Sequence, residues 1–439
     1  MQLSAQQEEA IKVIVSRLRG EYPEKLTYLA GYAGTGKSTI LPHIIEALGF
    51  PIDKIKFLAP TGKAAKVMTK KLAAQGFKAV ATTIHSAIYR ARPAPISQLE
   101  AELYEAQTQR ERLKMSGGKP EAINALTRTI NRLEKELDDL YTEEKIHFQL
   151  NPDSIIKDAM LVVIDEASMV GRSIADDLLY FEIPILAMGD PGQLPPVQDE
   201  AGLTAGEPDY FLTEVHRQAA DNPILQLATL ARQGKIMVPG EYGDGRARVI
   251  KRRDFNNGHF DWEAEPPQFI VGTNATRWRI TKMLRQGYGI AGADLPNSGP
   301  QVGEPLIVCK NNRSFPTLIN GTEVTAADSH MLIKGQTTFP FKVTDEDGRG
   351  YTLPAFQGLF EEHYAGKKNA FSSNSRSAFK ARKSSLELDW GWAITCHKSQ
   401  GSQYDDVVVI DESGVFRDDG HLWLYTAITR AAERLTILV

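Results

Sequence analysis

The sequence predicts an α/β fold in which a parallel sheet carries the functional site at the carboxyl ends of its strands. Four short apolar runs indicate buried strands, namely residues 26–30, 55–59, 160–164 and 183–188. Each run is followed by a cluster of glycine or polar residues, and segments of helical spacing lie between the runs. Ligands of such sheets bind outside the carboxyl ends of the strands. The pattern therefore places the chemistry of the chain at one sheet edge.

Length and composition limit the classes of protein to be considered. The chain has 439 residues, a formal net charge of −4 and two cysteines, Cys309 and Cys396. This length exceeds one ordinary hydrophobic core and predicts about two to four domains. No apolar run approaches the roughly 18 residues of a membrane span, and the cysteines form no metal or disulfide pattern. We expect a cytoplasmic protein without membrane segments, in which any nucleic-acid contact is a local groove.

A glycine-rich turn follows the first predicted strand and precedes a predicted helix. It spans residues 31–38 and has the form G-x-x-x-x-G-K-S. Gly34 and Gly36 let successive backbone amides point at one oxyanion, at the positive end of the helix. Lys37 can then bind the β- and γ-phosphates, and Ser38 can ligate Mg²⁺. The strand and helix on either side favour a nucleoside triphosphate site over a turn with a surface lysine.

Two further strand ends carry polar groups suited to phosphoryl transfer. Asp165 and Glu166 follow the third predicted strand, beside the phosphate loop in this architecture. Asp165 can hold Mg²⁺ through its water shell, while Glu166 positions and deprotonates the attacking water. Gln193 follows the fourth strand, where a polar side chain can sense the γ-phosphate. An isolated acidic pair would more simply cap a strand, but the adjacent phosphate loop favours catalysis.

Residues 91–151 interrupt the strand pattern with two heptad runs separated by residues 116–120. The first run has apolar residues at 99, 103, 106 and 113, and the second at 123, 126, 130, 133, 137 and 140. We predict an antiparallel helical hairpin of coiled-coil type, with arms of roughly 25 Å and flanks that pair as a short stalk.

The second half of the chain predicts another α/β core with a β insert. Strands are expected at residues 268–271, 407–410 and 435–439, with a helix at 421–429. Short β segments with turn signals fill residues 306–353, and residues 364–384 form a basic, mobile loop.

Together these stretches resemble a superfamily 1 helicase, most closely the RecD/Dda-like branch. The family's motifs occur in order along nearly the whole chain, apart from the helical hairpin. The matching positions are Gln7 and residues 31–38, 60–66, 83–85, 165–166, 189–193, 216–217, 395–401 and 425–430. The hairpin is a departure, because relatives carry a small β pin there.

The resemblance implies ATP as the nucleotide, Mg²⁺ as the metal and a role for each matching residue. Lys37, Glu166, Gln193 and two γ-phosphate arginines, Arg217 and Arg430, would be catalytic. The cofactor-binding residues would be Gln7 (reading adenine), Gly34, Thr35, Gly36, Lys37, Ser38, Thr39, His216 (stacking on the base) and Gly401, with Ser38 and Asp165 holding the metal. The DNA-contacting residues would be Pro60, Thr61, Lys63, Thr83, His85, Asn274, Thr395, His397 and Ser399.

The same resemblance implies two RecA-like P-loop parallel-sheet cores in tandem. The first would comprise residues 1–88 and 152–212 around a hairpin insertion at 89–151, and the second residues 213–304 and 386–439 around an SH3-like β insertion at 305–385.

In function, the resemblance implies a monomer that moves 5′ to 3′ on single-stranded DNA and unwinds forked duplex DNA. Replication or recombination proteins would be its candidate partners, in a bacterial or phage-infected cell. Two alternatives stay open: a nucleic-acid-stimulated P-loop ATPase that acts as a switch or remodeller, and an RNA helicase of similar build.

Overall fold

The fold was obtained as a computed structural model that describes residues 3–21, 25–91, 95–142, 148–196, 199–214, 221–255, 264–293, 295, 297–312, 314–366 and 381–439. In chain order, the α-helices are Ala5–Ser16, Lys37–Leu48, Gly62–Ala74, Ile84–Ile88, Pro95–Met115, Pro120–Thr142, Arg172–Leu179, Pro223–Arg232, Asn274–Gly287, Gly358–Ala365, Cys396–Ser399 and Gly420–Ile428. Within the described residues, no helix is both long and apolar enough to cross a membrane.

The strands alternate with these helices in both halves of the chain. In order they are β1 (Leu26–Gly31), β2 (Ile55–Ala59), β3 (Thr82–Thr83), β4 (Tyr89–Ala91), β5 (Phe148–Leu150), β6 (Leu161–Ile164), β7 (Ile185–Gly189), β8 (Tyr210–Leu212), β9 (Gly240–Tyr242), β10 (Ala247–Ile250), β11 (Gln268–Val271), β12 (Pro305–Val308), β13 (Glu323–Ala326), β14 (Thr338–Asp345), β15 (Gly350–Phe356), β16 (Leu388–Trp390), β17 (Ala393–Thr395), β18 (Tyr404–Ile410) and β19 (Ala431–Leu438).

The first half of the chain forms a parallel sheet of strand order β3-β2-β6-β7-β1-β8. Its central strands are buried on both faces, as their continuous apolar runs predict. Separate hydrophobic clusters cover its two faces, one of which includes the helices Ala5–Ser16, Lys37–Leu48 and Gly62–Ala74. The predicted α/β fold with parallel strands is therefore confirmed.

The second half forms another sheet of order β17-β11-β18-β19-β10-β9, parallel except for the edge strand β9. A separate antiparallel sheet of order β15-β14-β13-β12-β16 belongs to the same half, and its strands lie between β11 and β17 in the chain. One assignment differs from the sequence expectation, because Leu388–Trp390 was placed in the second core. This strand pairs instead with β12 and completes the antiparallel sheet. Its alternation of residue types carries no signal of which sheet it joins.

The heptad runs form two helices, Pro95–Met115 and Pro120–Thr142, that pack on each other. Their shared cluster buries Leu103, Ala106, Ile130, Leu133 and Leu137. Arms of 21 and 23 residues extend about 32–35 Å at the helical rise, longer than predicted.

The base of this hairpin is a two-stranded ladder. Strand β4 pairs with β5 in antiparallel register, with Tyr89 opposite Leu150. The predicted stalk is therefore confirmed for these strands. The basic loop expected at residues 364–384 is helical at both of its described ends, because Gly358–Ala365 and residues 381–384 are helical. Most of that predicted loop lies outside the described residues.

Candidate functional site

The turn between β1 and the helix Lys37–Leu48 has the geometry of an anion site. Gly34 and Gly36 have φ of 80° and 82°, a region that L side chains rarely adopt. Gly36 is the N-cap of the helix and provides no side-chain cap. The first amides of that helix have no intrahelical acceptor. The turn therefore presents donors and the positive helix end to a negatively charged group.

A cavity of about 480 Å³ lies against this turn and is lined by residues from both halves of the chain. It brings together most of the residues predicted to bind or cleave the nucleotide, namely Gly34, Gly36, Lys37, Ser38, Thr39, Asp165, Glu166, Gln193, Gly401 and Arg430. The sequence places these residues up to several hundred positions apart. Their convergence is the main result of the fold.

Two lysines lie at this cavity. Lys37 Nζ donates to the carbonyl of Gly31, and to that of Tyr32 at 3.2 Å, so it contacts the loop's own backbone. Lys71 lines the same cavity, with Nζ 3.5 Å from Ser38 Oγ. Lys71 belongs to none of the sequence motifs, and only the position of the helix Gly62–Ala74 beside the loop brings it there.

The predicted carboxylate pair follows β6 at the cavity. Glu166 has a φ of 54°, a left-handed conformation that is uncommon outside glycine. Its amide donates to Asp165 Oδ1 at 3.0 Å. Burial raises the pKa of the Glu166 carboxyl, although the charges of Arg430 and Lys37 oppose this shift. A raised pKa makes Glu166 a better proton acceptor for an attacking water.

The residues at the cavity fit a magnesium–nucleotide complex. Gln193 Oε1 is buried and has no hydrogen-bond partner in the part of the chain that the structure describes. A buried acceptor of this kind calls for a donor supplied by a ligand or water. Ser38 and Asp165 offer oxygen ligands, and Mg²⁺ commonly takes only one or two protein oxygens beside water and phosphate.

Two predicted nucleotide contacts are placed differently. Gln7 does not line the cavity. Its Oε1 accepts from Ser4 N at 3.1 Å, and its Nε2 donates to the Thr35 carbonyl at 3.3 Å. Thr35 is buried and donates its hydroxyl to the Tyr32 carbonyl at 2.8 Å. Both side chains therefore hold the helix start and the loop. His216 and Arg217 lie outside the described residues, and their roles stay predictions.

Four threonines occupy matching positions at the carboxyl ends of the outermost two strands on one side of each sheet. Thr61 follows β2 and Thr83 ends β3, while Thr273 lies two residues after β11 and Thr395 ends β17. Each is the N-cap of the next helix. The first three accept from the amide three residues later at 3.2 Å. Each core thus presents two adjacent helix N-termini, which can hold backbone phosphates.

The predicted DNA-contacting residues beside these turns differ in their exposure to solvent and in their protein partners. Pro60 directly precedes the Thr61 turn. Lys63 is paired with Glu323 of the antiparallel sheet and lies 3.4 Å from Tyr404 Oη. His85 is exposed beside Thr83, and Asn274 is exposed and accepts from Arg277 Nε at 3.1 Å.

In the second core, His397 is half-buried, with its ring centroid 5.8 Å from that of Phe416. Ser399 is fully buried and donates to the Cys396 carbonyl at 2.7 Å. In this structure the Ser399 hydroxyl therefore stabilises its own turn, and a DNA contact by this residue finds no support. Its place in the sequence pattern gave no sign of this burial.

A carboxylate that the sequence analysis missed occupies the Thr273 turn. Glu412 accepts from the amides of Gly272 at 2.7 Å and Thr273 at 3.1 Å. It also accepts from the hydroxyls of Thr273 at 3.3 Å and Thr276 at 2.6 Å. An acidic residue of the chain therefore takes the place that an anion would take at this helix end.

Comparisons with known proteins agree with this architecture. A family model described as an AAA domain matches residues 2–249, and one described as a UvrD-like helicase C-terminal domain matches residues 391–438. The chain is similar to the ATP-dependent RecD2 DNA helicase of Deinococcus radiodurans, with 28% identity over 285 residues, 62% of this chain and 35% of that protein. An uncharacterized protein of Methanocaldococcus jannaschii is 24% identical over 474 residues, which cover 94% of this chain and 36% of that protein. The chain thus spans about a third of the length of these curated relatives.

Solved structures of the same fold include Pif1 helicase from Candida albicans, with 18% identity, a TM-score of 0.50 and coverage of 100% of this chain and 94% of that one. Bacteroides Pif1 bound to single-stranded DNA has 16% identity, a TM-score of 0.52 and coverage of 100% and 92%. At these identities the likeness shows the fold alone. Since the AAA-domain model matches more than half of the chain, the chain belongs to this AAA-domain family, and the model of a UvrD-like helicase C-terminal domain matches its end.

Proposed function

We propose that the chain is an ATP-dependent DNA helicase that moves 5′ to 3′ on single-stranded DNA and unwinds forked duplexes. One observation carries the proposal: a single cavity joins the phosphate loop and the Glu166 carboxylate to Arg430 of the other half. The name of the Deinococcus relative supports an ATP-dependent DNA helicase. A solved neighbour of the same fold holds single-stranded DNA, which supports that substrate.

The proposed chemistry divides between the two halves. The loop amides and Lys37 bind the phosphates, and Glu166 accepts a proton from the attacking water. Ser38 and Asp165 would hold Mg²⁺, which would neutralise charge at the phosphates when bound. Arg430 stabilises the charge that develops on the transferred group, and we propose the same role for Arg217. Because Arg430 belongs to the second half, hydrolysis requires the two halves to come together.

Movement on DNA follows from the same division. We propose a first core of residues 1–88 and 152–212 and a second core of residues 213–304 and 391–439, since β16 joins the antiparallel sheet. The first core holds the backbone of the strand through the helix ends at Thr61 and Thr83, and the second core through the helix end at Thr395; these contacts need no base readout. Closing the cleft around ATP moves the contacts of one core relative to those of the other. The proposed insertions are the hairpin at 89–151 and an SH3-like unit that extends from residue 305 through β16.

Contacts of the antiparallel sheet suggest where a DNA tunnel is closed. Glu323 pairs with Lys63, and Glu346 lies 3.5 Å from Lys66 and 3.8 Å from Lys70. These lysines share the helix Gly62–Ala74, which starts at the Thr61 turn. Among the described residues, the hairpin helices pack chiefly on each other. We therefore propose that this sheet, rather than the hairpin, covers the strand-binding edge of the first core.

A strand-displacement assay tests the function. Duplexes of DNA and of RNA are given 5′ or 3′ single-stranded tails. We expect ATP-dependent unwinding of DNA with 5′ tails only. Unwinding of RNA alone would identify an RNA helicase, and DNA-stimulated hydrolysis without unwinding would identify a switch or remodeller.

Two variants test the assignment of the site. Lys37→Ala is expected to weaken nucleotide binding, because a phosphate charge loses its partner. Glu166→Gln is expected to keep binding and to lower kcat by about 10²–10⁴-fold, as for loss of a general base. Nucleotide binding and steady-state hydrolysis are measured for both. Near-parental hydrolysis by the Glu166 variant would remove it from the catalytic role.

A further inference from the structure

A buried hydrogen-bonded group joins the two halves at the start of the phosphate loop. Tyr425 lies in the helix Gly420–Ile428, and its side chain is 2% exposed. Its Oη accepts a hydrogen bond from the amide of Ala33 at 2.8 Å. The same hydroxyl donates to Asp190 Oδ2 at 2.7 Å. We name Ala33, Asp190 and Tyr425 the core clasp.

Close packing surrounds the core clasp on both sides of the cleft. A Cβ atom added at Gly192 would lie 2.9 Å from Tyr425 Cε1 and 3.0 Å from Arg232 Cδ. The Arg232 guanidinium lies 3.5 Å from the ring centroid of Tyr32, the residue before Ala33. The phosphate loop is therefore held by contacts with two helices of the second half.

The core clasp is also connected to the proposed catalytic arginine. Thr426, which follows Tyr425, accepts from Leu194 N through Oγ1 at 2.9 Å. Its carbonyl accepts from Arg430 Nε at 3.1 Å, and the Ser402 carbonyl accepts from Arg430 Nη1 at 3.2 Å. The guanidinium is thus fixed to the same helix turn that carries Tyr425.

On the other side of the cleft, the core clasp reaches the predicted γ-phosphate sensor. Asp190 Oδ1 accepts from Gly192 N at 2.9 Å, and the Asp190 carbonyl accepts from Gln193 N at 3.1 Å. Asp190 and Gln193 therefore belong to one tight turn. A shift of Tyr425 against Asp190 would move this turn relative to the loop.

The Tyr425 hydroxyl serves both partners of the core clasp because it donates and accepts at the same time. It accepts from the Ala33 amide and donates to the Asp190 carboxylate. Burial and then the charge of Asp190 raise the pKa of Tyr425, so the phenol keeps its proton. Phenylalanine would fill the same space and lose both hydrogen bonds.

We propose that Tyr425 is a positioning residue that sets Arg430 against the phosphate loop when the cleft closes. The inference rests on the proposed ATP hydrolysis and adds a residue to which no role in that reaction had been given. A tyrosine with a purely packing role would affect stability alone. A positioning residue affects kcat with little change in KM.

The test compares Tyr425→Phe with Tyr242→Phe. Tyr242 lies on the edge strand β9 and donates its hydroxyl to the Val238 carbonyl at 2.7 Å, so the control also loses one hydrogen bond to protein. Hydrolysis is measured at saturating single-stranded DNA across ATP concentrations. We expect Tyr425→Phe to lower kcat about tenfold and to keep KM within about twofold, while the control matches the parent. Asp190→Asn keeps an accepting oxygen and is expected to lower kcat less.

A second readout needs no nucleotide. Hydrogen–deuterium exchange of the peptide covering residues 31–36 is expected to accelerate severalfold in Tyr425→Phe and to stay unchanged in the control. A kcat within about twofold of the parent would overturn the proposal, whether or not exchange accelerates. A parent protein without DNA-stimulated hydrolysis would contradict the proposed function, and in that case the exchange result alone decides whether the core clasp holds the loop.

Discussion

Both cores have threonine-capped helix ends at the carboxyl ends of their strands, but in the second core a carboxylate of the chain occupies one of them. In the first core, no carboxylate among the described residues accepts from the Gly62 and Lys63 amides that follow Thr61. In the second core, Glu412 already occupies the corresponding turn at Thr273. A strand followed by a threonine-capped helix therefore does not by itself make an anion site. A carboxylate more than a hundred residues away decides whether that turn is open.

This difference predicts unequal grips on DNA. The first core offers two helix ends to the strand, while the second offers the Thr395 turn. The second core contributes instead to hydrolysis, through Arg430. We therefore expect substitutions in the two cores to separate chemistry from strand binding.

The largest effect is expected for Arg430→Ala. Loss of an arginine at the transferred phosphoryl group lowers hydrolysis by about 10³–10⁵-fold. Binding of single-stranded DNA should persist, because Arg430 lies at the cavity and not at the threonine-capped turns. Arg434→Ala is the matched control, since Arg434 is exposed and pairs with Asp406 at 2.9 Å. Equal losses in the two variants would contradict the assignment.

The next largest effect is expected on stability, at the buried ion pair of the helix that follows the Thr273 turn. Arg277 of the helix Asn274–Gly287 lies 2.6 Å from Asp389 Oδ2, and both side chains are buried. His363 Nε2 lies 2.6 Å from the other carboxylate oxygen. Burial alone would raise the pKa of Asp389, but the Arg277 charge and the His363 contact outweigh it and hold that pKa well below its usual value.

We expect Asp389→Asn to lower the free energy of unfolding by about 3–5 kcal/mol at neutral pH, because it leaves Arg277 buried and unpaired. A carboxyl with a lowered folded pKa stabilises fully above its unfolded pKa of about 4, and this stabilisation is lost as pH falls further. The difference between parent and variant should therefore shrink below about pH 4. Urea unfolding at several pH values measures it, and a pH-independent difference would refute the ionic origin.

A smaller effect on DNA affinity is expected when the Thr61 turn and the Thr273 turn are compared by the same substitution. Thr61→Val and Thr273→Val each lose an N-cap, which costs about 1 kcal/mol of stability in both cases. Affinity for an oligothymidylate, measured by fluorescence anisotropy, should fall about fivefold for Thr61→Val and stay within about twofold for Thr273→Val. In a Glu412→Ala background, the Thr273 substitution should begin to weaken binding. If both single variants lose affinity equally, the Thr273 turn also holds DNA.

The smallest effect on hydrolysis is expected from removing the hairpin. Replacement of residues 98–143 by a short Gly-Ser turn should leave DNA-stimulated hydrolysis within about twofold, because the helices pack on each other and outside the cavity. Unwinding of long forked duplexes should fall if the hairpin supports strand separation. Full unwinding by a folded truncated protein would instead favour a partner-docking role.

Local features were predicted well because they depend on neighbouring residues. The strand Gln268–Val271 has the predicted bounds. Ser4 and Gln7 form a capping box within four residues, and Thr61 caps the helix that directly follows it. The phosphate loop was found because its glycines, lysine and serine are contiguous.

The sequence predicted poorly whether a side chain is exposed and unpaired at a binding surface, because burial and pairing depend on residues far away in the chain. Ser399 matched a DNA-contact position and is fully buried. Lys63 matched another and is paired with Glu323, 260 residues away. Lys71 belonged to no motif and lies at the cavity.

By itself, the sequence determined the alternation of buried strands and helices, the phosphate loop, the carboxylate pair and the paired helices of the hairpin. These follow from apolar periodicity and from backbone preferences, which act over a few residues. Only the tertiary structure decided that Tyr425 contacts Ala33 and Asp190, that Glu412 occupies the Thr273 turn and that β16 joins the antiparallel sheet. Such pairings join groups far apart in the chain, and their free energy depends on burial and geometry that exist only once both cores have folded.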